Sequence, residues 1–121
     1  MLPPLFQILV ANSAVTALLG VNPTRCYPWG EVPQNCPKPY AVWQIISGNP
    51  ENYLESPTDM DGVSIQIDVY SDIAASTISA AKALRTAIES QATLTAFRQW
   101  PREPDTRLYR WQLDVDFFVE R

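Results

Sequence analysis

Apolar residues recur along this chain with two different periods, and each change of period marks an element. Leu5, Ile8, Leu9, Val15, Leu18 and Leu19 follow Pro3 and Pro4 at helical spacing, and Gly20 supplies a stop. Inside that run Asn12-Ser13 offers a fresh cap that divides it into short turns of helix. Five of the eleven prolines, Pro23, Pro28, Pro33, Pro37 and Pro39, then impose an extended or turning path, with room for a short edge strand at Arg25 to Tyr27. Tyr40 to Ser47 is apolar on both alternations, which predicts a central strand covered on both faces.

Gly48 to Gly62 is a long polar connection with turn signals at Asn49-Pro50, Ser56-Pro57 and Asp61-Gly62. After it, Val63, Ile65, Ile67 and Val69 alternate with Ser64, Gln66, Asp68 and Tyr70, the clearest strand pattern in the chain. Ser71 or Asp72 is placed to cap a helix running to about Ser90, with Ile78, Ala81, Leu84 and Ile88 as its apolar stripe and Lys82, Arg85 and Glu89 in water. A strand over Leu94 to Trp100, a turn-rich connection and a long strand over Leu108 to Val119 complete the order. The expectation is an α+β fold: an antiparallel-rich β-sheet of about four to five strands with two helices packed on one face, residues 1–121 forming one domain.

Composition narrows the function. The chain is 46% hydrophobic and 18% charged, an ordinary globular mixture. At 121 residues it buries about 65% of the surface its unfolded form exposes. A formal charge of -4 argues against a surface that grips phosphates, so DNA would be tolerated and not held. The N-terminal apolar run is interrupted by Gln7, Asn12 and Ser13, has no basic flank and is too short to span a bilayer, which points to synthesis in the cytoplasm with no membrane partner. Cys26 and Cys36 are spaced so that a small disulfide loop is feasible, while a cytoplasmic origin favours free thiols.

Catalytic templates are scarce. There is no histidine, which removes the commonest general base and the usual activator of a nucleophilic serine or cysteine, and the pair of cysteines lacks partners for a zinc site. No nucleophile elbow, P-loop or dinucleotide fingerprint occurs, and no cofactor is implied. One chemical alternative stands: Asp68, Asp114 and Asp116 could converge as the carboxylates of a small metal-dependent hydrolase. Against it stand an ordinary wetted sheet face, and a polar wall formed by Ser64, Gln66, Asp68, Gln112, Asp114 and Asp116 in a ring or channel. Trp43 and Trp111 lie on apolar alternations and belong to the core. Trp29 and Trp100, beside prolines in loops, and Phe118, on the otherwise polar side of the last strand, are candidates for contact with a neighbouring subunit.

Several stretches together, "VTALLG", "RCYPWGEVPQNCPKPYAVWQIIS", "VSIQIDVYSD" before an alanine-rich helix, and "YRWQLDVDFF", resemble the tail completion or tail-terminator proteins of long-tailed bacteriophages over nearly the whole chain. Cys26 departs from the aliphatic residue expected at its position and keeps the strand character. The resemblance implies a non-enzymatic virion protein, assembled in the host cytoplasm, that forms a homo-oligomeric ring, usually a hexamer, on the head-proximal end of the tail tube. Such a ring stops tube growth and meets the head-tail connector or head-closure protein. The genome passes through it without specific binding. Ser64, Gln66, Asp68, Gln112, Asp114 and Asp116 would then face the lumen, and the connection carrying Asn49, Glu51, Tyr53, Glu55 and Asp59 would order against the tube or an adjacent subunit. A head-closure or other neck protein of the same particle, or a subunit of a contractile injection device, would share this size and composition.

Overall fold

The computed structural model describes residues 5–21, 23–47 and 60–120. Its elements are α1 (Leu5–Val10), α2 (Ser13–Leu19), β1 (Cys26–Pro28), β2 (Tyr40–Ser47), β3 (Met60–Ser71), α3 (Ala74–Glu89), β4 (Thr93–Trp100) and β5 (Tyr109–Glu120). The strands form one five-stranded sheet in the order β1-β2-β3-β5-β4. Only the short β1 runs parallel to its neighbour, so the expected α+β class and antiparallel-rich sheet are present. Among the described residues the helices number three, not two. Asn12 makes the difference: its side chain accepts a hydrogen bond from the Val15 amide at 3.0 Å and starts a new helix.

The core lies on one face of the sheet. Val63, Ile65, Ile67 and Val69 on β3 pair in register with Phe117, Val115, Leu113 and Trp111 on β5, so both alternations send their apolar side chains the same way. Leu84, Ile88 and the small Ala80, Ala81 and Ala87 of α3 join Leu5, Leu9, Val15 and Leu19 of the first two helices in this core. The α3 cap differs from expectation. Ile73 occupies the capping position and its side chain cannot accept a hydrogen bond, so Ser71 Oγ takes the Ile73 amide at 3.3 Å instead.

The placement of β2 also differs. It is second in the sheet, not central, and β1 covers its outer side only from Ala41 to Trp43. Beyond that point Ile45 and Ile46 are 45% and 46% exposed. The double-sided apolar pattern that suggested full coverage therefore belongs to a strand whose far end has no covering strand among the described residues. Register irregularities fall between Ile45 and Ser47 in β2 and between Leu94 and Ala96 in β4, whereas the β3–β5 ladder is unbroken from Met60–Glu120 to Ser71–Tyr109.

Candidate functional site

The face of the sheet opposite the core carries the polar alternation. Because β3 and β5 are antiparallel and in unbroken register, Ser64 lies across from Asp116, Gln66 from Asp114, Asp68 from Gln112 and Tyr70 from Arg110. All six residues expected to form a polar wall thus share one surface. No carboxylate stands opposite another, which avoids the repulsion of directly paired like charges.

Each acid has its own donor. Ser64 Oγ donates to Asp116 Oδ1, Gln66 Nε2 donates to Asp68 Oδ2 at 2.9 Å, and Gln112 Nε2 donates to Asp114 Oδ1 at 2.9 Å. Arg110 Nε donates to Asp68 Oδ1 at 3.0 Å, an ion pair that ties β5 to β3. Asp68 and Gln112 are only 6% and 4% exposed, so the middle of this face is better described as a packed polar layer than as a wetted surface. Among the described residues no group of three or more potential ligands is arranged to hold a metal ion. The three aspartates are spread along two strands and do not converge on a common point.

Arginines add what the carboxylate pattern alone did not convey. Arg98 on β4 pairs in register with Gln112 and donates to its Oε1 from Nε and Nη2 at 3.4 and 3.3 Å. Trp100 is the last residue of β4, not a loop residue, and its Nε1 donates to the same oxygen at 2.7 Å. The guanidinium carbons of Arg98 and Arg110 lie 4.5 and 4.7 Å from its ring centroid. This indole is therefore occupied within its own chain by cation–π contacts and a hydrogen bond. Three carboxylates on the face meet two guanidiniums, so the wall is far closer to neutral than the acids alone suggested. The signal was present in the alternation, since Arg110 precedes Gln112, Asp114 and Asp116 on the same side of β5.

Tyr40 and Tyr70 stack at 5.5 Å next to the ion pair. Burial and the Asp68 charge push the Tyr70 phenol up to about 12, against the opposing pull of Arg110. For Arg110 itself burial acts downward, but the hydrogen bond and charge of Asp68 outweigh it and raise the guanidinium above its ordinary value. Both groups keep their normal neutral-pH forms.

Of the residues expected at subunit contacts, Trp29 is 71% exposed in the turn after β1. Asn49, Glu51, Tyr53, Glu55 and Asp59 lie outside the described residues, as does the side chain of Phe118, whose backbone pairs with Gly62.

A family model described as Tail completion protein gp17 matches residues 3–120. The chain belongs to the tail completion protein family. It is thus a structural phage tail protein. A solved chain described as belonging to the virion of a native gene transfer agent particle is 19% identical to this tail completion protein. The match covers 97% of this chain and 92% of that one with a TM-score of 0.62, a likeness of fold. No curated protein matches the sequence.

The stretches that carried the resemblance now have physical roles in the tail completion fold. Gly20 ends α2 with φ +85°, a conformation that side chains rarely adopt, and a Cβ there would sit 2.6 Å from Arg25 Nη1. Arg25 uses the space so cleared. Its Nη2 donates to the Leu18 carbonyl and its Nε to the Pro39 carbonyl, each at 2.9 Å, while its backbone carbonyl accepts from the Ala41 amide. One side chain thereby satisfies an orphan carbonyl at the end of α2 and fixes the entry to β2. The stretch from Arg25 to Pro28 and the Pro39-Tyr40 opening of β2 are a fastening between helix layer and sheet. Cys26 and Cys36 are both buried free thiols.

Proposed function

We propose that this protein assembles as a ring, hexameric in its completed form, on the head-proximal end of the tail tube, where it ends tube growth and offers a surface to the head connector. The polar face of the sheet lines the channel. The observation that carries this reading is the hydrogen-bonded layer of Ser64, Gln66, Asp68, Gln112, Asp114 and Asp116: every acid is engaged by its own chain, and of the two guanidiniums on the face Arg110 is held by Asp68 and Arg98 by Gln112. Such a wall is polar, with its hydrogen bonds satisfied internally, and presents too little positive charge to hold a phosphate backbone. With screening over about 8 Å at physiological salt, the lining acts at short range as a non-adhesive surface.

The experiment is to polymerise tail-tube subunits with and without the purified protein and image the products by electron microscopy. Tubes of limited length with a ring at one end are expected. Tubes that elongate unchanged and stay undecorated would overturn the assignment. The lumen is tested separately with Asp114→Lys combined with Asp116→Lys, which leaves the Asp68–Arg110 pair intact. Rings should form as before while genome passage slows, and unchanged passage would remove the polar face from the channel wall.

A further inference from the structure

Where β1 stops, β2 continues. The Ala41 amide and the Trp43 carbonyl both bond toward the β1 side, to the Arg25 carbonyl and the Trp29 amide, so the strand repeat of two sends the Ile45 amide and carbonyl to that same side. No strand meets them there among the described residues. Ile45 and Ile46 stand exposed on this overhang, and the exposed Trp29 flanks it. At the opposite margin of the sheet the outer side of β4 is likewise unpaired among the described residues. A bare, apolar strand margin is a template for another strand, and natural proteins cover or charge such margins unless they use them.

We infer that the β2 overhang, Gln44 to Ser47, is a subunit interface that accepts the outer edge of β4 from a second copy of this chain. The two margins belong to one sheet and differ from each other, so the contact is heterologous and does not stop at a dimer, and repeated copies form a ring where the rotation between them closes. Pairing carries the sheet across the junction and keeps the polar faces of adjacent copies on one side, with Gln44 and Arg98 both on that face. The register irregularity between Ile45 and Ser47 keeps the pairing short. Each contact is weak alone, and closure or a tube end completes it. The inference rests on the self-assembly reading above.

Ile45→Pro tests it. Proline there removes the outward amide and leaves the β2–β3 ladder its hydrogen bonds, a position that edge strands tolerate. Ile46→Lys, at an exposed side chain, charges the same margin without touching the core. By sedimentation at concentrations up to the millimolar range, both variants should keep the wild-type circular dichroism and self-associate at least tenfold more weakly. Copies carrying Gln44→Cys mixed with copies carrying Arg98→Cys should cross-link to each other through a short bis-maleimide. If the variants associate as wild type does, or if Gln44→Cys copies cross-link only among themselves, this surface is wrong and the ring reading stands. If wild type forms no oligomer either at millimolar concentration or on added tail-tube ends, the self-assembly reading fails and takes this interface with it.

Discussion

Replacing Asp68 with asparagine probes what holds the polar layer together. The change keeps the volume and the Gln66 hydrogen bond but removes the charge that Arg110 meets at 3.0 Å. A hydrogen bond to a charged group contributes roughly 1.5–3 kcal/mol, and an exposed ion pair about 0–1 kcal/mol. The Arg110 side chain is 23% exposed and that of Asp68 only 9%, which places this pair toward the larger value. We therefore expect Asp68→Asn to cost about 2 kcal/mol, using the middle of the charged-group range. With roughly 2.1 cal/mol/K of unfolding entropy per residue, that is a loss of about 8 °C in Tm for a chain of 121 residues. Thermal unfolding followed by circular dichroism measures it. A double-mutant cycle assigns the cause: in an Arg110→Met background the same substitution should cost less than about half as much. The exposed pair Arg85–Glu89 on α3 serves as control, and Glu89→Gln should cost no more than about 0.5 kcal/mol. A Tm loss under about 2 °C for Asp68→Asn, or an equal loss with Arg110 removed, would show that the pair is not what stiffens this face.

Gly20→Ala forces a side chain into a left-handed backbone conformation and against Arg25 Nη1, so a loss of about 1–3 kcal/mol is expected in urea unfolding, and a neutral result would contradict the role given to Arg25. Burial pushes the Cys26 thiol up to about 12, and Cys36 is also buried, so a thiol reagent at pH 8 should label neither in the native protein and both after unfolding. The folded-state values of Tyr70 and Cys26 are raised above ordinary values of 10.0 and 9.0, which means the folded chain holds these protons longer than the unfolded one. Their contribution is fully present below pH 9 and is lost as pH rises toward 12, so Tm should fall across that window, and Tyr70→Phe should make the fall shallower.

Much of this fold was legible because two elements carry strict periods. The alternation of Val63, Ile65, Ile67 and Val69, matched by Leu113, Val115 and Phe117, leaves only one way to bury a face, and the β3–β5 pairing follows from it. The six polar-wall residues were legible for the same reason. The placement of β2 was not, because an apolar strand reads alike whether a fold or a partner covers it, and only the three-residue length of β1 decides between them. Of the two neutralising arginines, Arg110 was visible in the β5 alternation, while Arg98 was hidden because it reaches Gln112 across a strand pair, a register that no local pattern encodes. Trp100 was read both as the end of the strand from Leu94 and, beside Pro101, as a loop residue, and its pairing with Arg110 decides for the strand.

The uneven regularity of the sheet has a mechanical consequence. Its middle ladder runs from Met60–Glu120 to Ser71–Tyr109 without interruption, while β2 and β4, the strands that flank it, each contain a slipped residue. Extra residues of that kind bend and twist a strand locally. A subunit built this way has a stiff spine and compliant margins, so the deformation needed to match the curvature of whatever it sits on falls at the two seams and leaves the spine straight.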